Sequence, residues 1–150
     1  MAYYDDVEFE PDTSPGYLMR HIIQASWAKI EPDMVAAGLT MSQWLALVSM
    51  RYGRASTAAE LARELAHDAG AMTRLLDQLE DRGWIERQRD AADRRRVNLS
   101  LTSTGLEVTK HCQALIGARW SQWFEGWRKD EVDGFIRALW RLRRTLDPSA

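Results

Sequence analysis

Six arginines fall within residues 82–96 (Arg82, Arg87, Arg89, Arg94, Arg95 and Arg96), set against Glu86, Asp90 and Asp93, so this short stretch carries +3. A guanidinium is permanently charged, and its planar fork of donors fits phosphate oxygens and the guanine edge. Asp93 beside Arg94, Arg95 and Arg96 has no use in a pure phosphate clamp. It can instead orient one arginine through a charge-assisted contact while another stays available for a ligand. Just upstream, Met72, Leu75, Leu76 and Leu79 follow the i, i+3, i+4, i+7 pattern of a helix with one apolar face. The opposite face holds Ala71, Thr73, Arg74, Asp77 and Gln78, small near the start and hydrogen-bonding further on. A solvated helix and a solvated charged loop would show the same residue types. Their place in the fold has to decide.

The elements that would position them are marked by local signals. Ser14-Pro15 pairs an N-cap oxygen with a proline at the first helical position, and Leu18, Ile22 and Ala25 follow at helical spacing. Pro32 predicts a kink or break near Glu31, and Gly38 an end. Thr40-Met41-Ser42-Gln43 and Thr57-Ala58-Ala59-Glu60 are capping boxes, opening helices with Trp44, Leu47 and Val48, and with Leu61 and Leu65. Asp68 caps the helix at 70–82, and Gly83 stops it. The period then changes. Residues 86–89 are polar, 90–93 read as a turn, and Val97, Leu99 and Leu101 alternate with Asn98 and Ser100 as in a half-buried strand. Thr102 caps a helix expected to reach about Trp127 on a stripe of Thr109, Cys112, Ile116, Trp120, Trp123 and Trp127. Asp130 caps a last helix with Val132, Phe135, Leu139, Leu142 and Leu146.

Two short helices followed by a hairpin with an arginine tip outline a winged helix-turn-helix, in which the second helix enters the DNA major groove. Arg74 can address guanine or phosphate, Thr73 a phosphate or a thymine methyl, and Gln78 adds hydrogen-bonding groups. Arginines at a narrow tip reach a minor groove, where negative potential is concentrated. The fold class is therefore mainly α with a small β-hairpin. A winged helix-turn-helix over about 40–101 lies between long dimerisation helices at about 14–37 and 102–147, all in one domain over 14–150.

Charge and composition bound the rest. The 150 residues carry a net charge of −2, are 45% hydrophobic and 28% charged, and contain no apolar run long enough for a membrane span. Asp5, Asp6, Glu8, Glu10 and Asp12 form an acidic N-terminal tail over 1–13, leaving the remainder of the chain at +3. The N-terminus shows neither the basic region nor the apolar stretch of a secretion signal, and a single cysteine suits the cytoplasm.

Several motifs together resemble the MarR family of bacterial transcription regulators. They are Leu61-Ala62-Arg63-Glu64-Leu65, the run Met72-Thr73-Arg74-Leu75-Leu76-Asp77-Gln78-Leu79-Glu80-Asp81-Arg82-Gly83, Asp93-Arg94-Arg95-Arg96, and Leu101-Thr102-Ser103-Thr104-Gly105. The resemblance is strongest over 57–105 and looser from Gly16 to the C-terminus. It implies a homodimer that binds double-stranded DNA at a pseudo-palindromic operator, usually as a repressor released by a small aromatic or phenolic ligand. It places Thr73 and Arg74 on the recognition helix, and Arg94 and Arg95 on the wing. Trp84 departs from the family's usual smaller aliphatic residue.

Other candidates carry less. Cys112 lies on an apolar stripe, as a buried structural thiol does, whereas the resemblance places the family's peroxide-sensing cysteine near the first helix. His21, His67 and His111 lack metal-ligand spacing, so neither a metal nor a cofactor is expected. Trp120, Trp123, Trp127 and Trp140 read as core or dimer interface. His21, Trp27, Trp44 and Arg51 offer aromatic walls and carboxylate partners for an effector pocket. An enzyme would need a nucleophile, a base and an orienting group within reach, and no such arrangement is visible. A winged-helix module acting only through protein contacts remains the alternative, with the Arg94–Arg96 cluster against it.

Overall fold

The structure, a computed structural model, describes residues 3–90 and 97–148. Its elements are α1 (Pro15–Ala36), α2 (Met41–Arg51), α3 (Ala58–Glu64), α4 (Ala69–Asp81), β1 (Ile85–Arg89), β2 (Val97–Leu101), α5 (Ser103–Trp123) and α6 (Lys129–Leu146). They divide into two compact units, Met1–Leu115 and Ile116–Ala150.

The caps anticipated for α1 to α4 are formed. Ser14 accepts from the Tyr17 N–H, Thr40 from Gln43, Thr57 from Glu60 and Asp68 from Ala71. Gln43 and Glu60 complete their boxes by accepting from Thr40 and Thr57 N–H at 2.9 and 3.1 Å. Each cap satisfies backbone donors that the first helical turn leaves unpaired.

Three boundaries differ from the sequence expectation. α1 runs unbroken through Pro32. Proline in a helix interior costs about 3 kcal/mol. Ile30 and Met34, only 3% and 0% exposed, bracket it, and full burial of two such side chains at about 1.5–3 kcal/mol each is enough to hold the helix through. α5 ends at Trp123 instead of near Trp127, and Gly126 at φ +85° turns the chain into α6. The N-cap of α6 is Arg128, not Asp130; its N–H is accepted by the Glu131 carboxylate at 2.8 Å, while Asp130 lies inside the first turn and pairs with the Arg128 guanidinium at 2.9 Å.

The core of the first unit joins α1 to the helix-hairpin module. Leu47, Leu61, Met72, Leu76, Leu79 and Ile85 are buried, with Leu99 closing over them from β2. β1 and β2 are antiparallel, with Ile85 opposite Leu101 and Arg87 opposite Leu99. The Leu99 N–H also donates to the Ser56 carbonyl at 2.8 Å, tying the hairpin to the turn before α3. In the second unit, Trp120, Trp123, Phe124, Trp127 and Phe135 form a cluster of offset and edge-to-face rings, with centroids 5.0–6.2 Å apart. This cluster closes the α5–α6 turn.

The hairpin root is fixed by backbone approach. Thr102 donates from its N–H to the Trp84 carbonyl at 3.1 Å and from its hydroxyl to the Gly83 carbonyl at 2.6 Å. Thr102 Oγ1 in turn accepts from the Gly105 N–H at 2.9 Å, capping α5. A Cβ on Gly105 would lie 1.9 Å from the Trp84 carbonyl oxygen. Gly105→Ala should therefore destabilise the protein by about 1–3 kcal/mol or more, as overpacking against rigid backbone does. Thermal melting should show a drop of several degrees; an unchanged melting temperature would mean that the junction yields.

Candidate nucleic-acid interface

The surface presented by α4 is a direct consequence of its periodicity. With Met72, Leu75, Leu76 and Leu79 buried, Thr73, Arg74, Asp77 and Gln78 are exposed along the opposite face. Asp68 sets the start of the helix, accepting from the Ala71 N–H at 2.8 Å. The turn before it, with Ala66 at φ +51°, is held by His67. Nδ1 of His67 lies 2.7 Å from the Leu65 carbonyl, which can only accept, so Nδ1 carries the proton; in the neutral ring Nε2 then accepts from Ser42 Oγ at 3.3 Å. His67 is thus a brace between α2 and the α3–α4 turn.

The candidate reading residues differ in how far they are committed elsewhere. Thr73 donates its hydroxyl proton to the Ala69 carbonyl at 2.8 Å, which leaves its methyl and oxygen lone pair for an outside partner. Gln78 Oε1 accepts from Gln43 Nε2 at 2.9 Å. Gln43 is itself the back-bonding residue of the α2 capping box, so α2 orients the Gln78 amide and leaves its NH2 pointing elsewhere. Arg74 reaches back toward the first turn of α4: its Nη1 lies 3.8 Å from the place of a Cβ on Gly70, and its charge contributes to the field at Asp68. Asp93, Arg94, Arg95 and Arg96 lie outside the described residues.

Arg87 was not singled out from the sequence. It projects from β1 to Asp77 at 2.7 Å and Glu80 at 3.1 Å, both on α4. The signal was present in the strand alternation, which puts residue 87 on the same side as buried Ile85. Arg82 was likewise missed as a structural residue. It donates to the Gly38 carbonyl at the end of α1, and its guanidinium lies 4.7 Å from the Trp84 ring centroid. Trp84 thus serves as a cation–π platform.

The four residues considered for an effector pocket have separate surroundings. His21 packs on Tyr17 at 4.3 Å between ring centroids, and Trp27 is 45% exposed on α1. Arg51 donates to Gln113 Oε1 and lies over the Tyr52 ring, whereas the Trp44 indole N–H is buried without a partner. A groove of about 690 Å³ runs beside Leu45, Val48, Ser49 and Tyr52 of α2 and its following turn and Glu64 and Leu65, and a hollow of about 240 Å³ lies among Asp33, Ala36, Ala37, His111 and Leu115. Neither is lined by any of the four. Cys112 is fully buried, and desolvation raises its thiol pKa, which disfavours the reactive thiolate. Among the described residues, no group of three or more His, Cys, Asp or Glu converges as a metal site, and no helix is long and apolar enough to cross a membrane.

A capped helix-turn-helix with an amphipathic second helix, followed by an antiparallel hairpin and flanked by long helices, is a winged-helix architecture. The family model described as "MarR family" matches residues 39–97. The chain is 38% identical over 79 residues to the multiple antibiotic resistance protein MarR of Escherichia coli (strain K12), covering 53% of this chain and 55% of that protein. It is 33% identical over 101 residues to the HTH-type transcriptional regulator YdcH of Bacillus subtilis (strain 168), covering 65% of this chain and 69% of that one. The crystal structure of wild-type MarR in its apo form from E. coli superimposes with a TM-score of 0.76 at 29% identity, covering 90% of this chain and 98% of that chain. The chain belongs to the MarR family. Its match spans about half the length of the E. coli relative.

The Asp68 cap gives the start of α4 a defined pH dependence. Its carboxyl is held below the ordinary aspartate value of 3.8, first by the Ala71 N–H, with Gly70 N–H and the Arg74 charge assisting and partial desolvation opposing. A depressed folded-state value means that the cap's contribution is complete above the unfolded value and is lost as the pH falls through the folded one. Asp68→Ala should therefore melt lower than the wild type at neutral pH, with the gap closing below pH 3.8. Asp68→Asn keeps a capping oxygen without the titration, and its gap to Ala should persist in acid; parallel melting curves for all three at every pH would contradict this.

Proposed function

We propose that the protein is a sequence-specific double-stranded DNA-binding transcriptional regulator, acting in the cytoplasm as a homodimer on a pseudo-palindromic operator. The observation that carries this reading is α4: it is anchored by four buried apolar side chains and turns Thr73, Arg74 and Gln78 outward beside the hairpin. These three residues read or position α4 in the major groove. Arg94, Arg95 and Arg96, which link β1 to β2 in sequence, contact the minor groove or its phosphates, with Asp93 orienting one of them. Family membership supports a regulator over an enzyme.

A second copy is needed for physical reasons. α1 exposes Tyr17, Leu18, Ile22, Ile23 and Trp27, and α6 exposes Ile136, Leu139, Trp140, Leu142 and Leu146. Surfaces of this kind on long terminal helices are covered in oligomers. A dimer in turn presents two α4 helices to two half-sites about one DNA turn apart. Repression, with release by a small aromatic or phenolic effector, completes the reading. The hollow between α1 and α5 offers such a ligand a place.

A gel shift with DNA adjoining the protein's own gene tests the reading. Light scattering should give about twice the 17.2 kDa chain mass. Arg74→Ala should weaken binding; if Arg74 makes a bidentate base contact, about 1–3 kcal/mol of discrimination should vanish at one symmetric position per half-site. Arg95→Ala, if both copies of Arg95 touch phosphate, should make the slope of log K against log salt shallower by roughly two units, at about 0.9 per phosphate. A monomer that binds the operator as tightly, or variants with unaltered affinity, slope and preference, would defeat the proposal. A small aromatic effector should raise the melting temperature and release the DNA.

A further inference from the structure

The outward face of α4 carries not only groups suited to DNA but also carboxylates. Asp77 follows Arg74 by three residues and Thr73 by four, so it lies on the same side of the helix, with its side chain 51% exposed; Glu80, one turn on, is 41% exposed. Two uncompensated carboxylates there, doubled in a dimer, would face the most densely charged polyanion in the cell. Like charges brought together at an interface oppose binding strongly.

A single guanidinium addresses both. Arg87 Nη2 lies 2.7 Å from Asp77 Oδ1, and Nη1 lies 3.1 Å from Glu80 Oε2, so one fork spans two consecutive turns of α4 from the neighbouring strand. Arg87 is held in place by the β1–β2 ladder opposite Leu99, and its side chain is 29% exposed. Partly exposed pairs of this kind contribute only about 0–1 kcal/mol to folding. Packing of the four apolar side chains already secures α4. The clamp is therefore of little consequence to stability and of large consequence to whatever approaches the helix.

We propose that Arg87 is a positioning residue for DNA recognition: by bridging Asp77 and Glu80 it masks two carboxylates on the reading helix and couples that helix to the first strand of the wing. This rests on the DNA-binding reading above. Arg87 need not touch a base. It acts through Asp77 and Glu80, whose charge would otherwise oppose the phosphates flanking the site of Arg74.

The test is a thermodynamic cycle on a DNA fragment bound by the wild-type dimer, titrated at several salt concentrations. It uses Arg87→Ala, the pair Asp77→Asn with Glu80→Gln, and all three together. Arg87→Ala should weaken binding by about tenfold or more. The triple variant, which has no carboxylates left to mask, should recover most of that loss. The pair alone should bind at least as tightly as wild type, and all melting temperatures should agree within a few degrees. A triple variant as weak as Arg87→Ala, with a shallower salt slope, would make Arg87 a phosphate contact and overturn the proposal. Unchanged binding by Arg87→Ala would overturn it as well. Absence of binding by the wild type would instead remove the regulator reading, and the clamp with it.

Discussion

The Trp84 carbonyl is where the chain's two halves of logic meet. It accepts from the Thr102 N–H, and it lies so close to Gly105 that only a residue without a Cβ fits. Thr102 simultaneously holds the Gly83 carbonyl and caps α5. One small junction therefore fixes the exit of α4, the root of the hairpin and the entry of α5. Gly83, at φ +67°, supplies the left-handed turn that brings Trp84 there. Inside α5, Thr109 returns a hydrogen bond to the Gly105 carbonyl at 2.6 Å, so the close approach is braced from within as well. The orientation of α4 relative to the hairpin, and with it any shared use of the two on DNA, follows from this geometry.

Around that junction, arginines do different work according to their surroundings. Arg82 spans from the end of α4 to the Gly38 carbonyl at the end of α1, resting on Trp84. Arg87 ties β1 to α4 through carboxylates. Arg74 leans along its own helix toward the cap. A local charge of +3 over 82–96 was thus a poor guide to which cations are available to a ligand, because Arg82 and Arg87, among the described residues, hold elements together. Arg82 thus links the chain just after α1, at the Gly38 carbonyl, to the Trp84 ring that follows α4.

What could be read from sequence divides along the range of the interaction. The caps at Ser14, Thr40, Thr57 and Asp68 were legible because each is complete within three residues. The α4 stripe and the period change at the hairpin were legible for the same reason: both are local patterns repeated several times. Pro32 misled because a local rule met a tertiary one, the burial of Ile30 and Met34. The α6 cap was misplaced by two residues because Asp130 is an ordinary cap type, whereas Arg128 caps through its backbone, with Glu131 accepting. The roles of Gln78 and Arg87 depend on partners 35 and 10 residues away, and the grouping of His21, Trp27, Trp44 and Arg51 on helix phases that spacing alone does not relate. The proposed reading roles of Thr73, Arg74 and Gln78 follow from the sequence pattern; what the structure adds is which of their atoms are already spoken for.

The second unit makes the sharpest demand on a partner. Its aromatic cluster secures the turn and the first part of α6, where Val132 and Phe135 are half-buried. Beyond them, no residue of the helix is buried, and Leu146 is 76% exposed. A helix of this length draws most of its stability from a packed face and little from propensity. Its ion pairs, Lys129 with Asp133 at 2.5 Å and Arg128 with Asp130, are at the surface and contribute little. The apolar stripe from Leu139 to Leu146 therefore has a folding reason to be covered as well as an assembly reason. If a second copy covers it, folding of the C-terminal helix and formation of the dimer are one event.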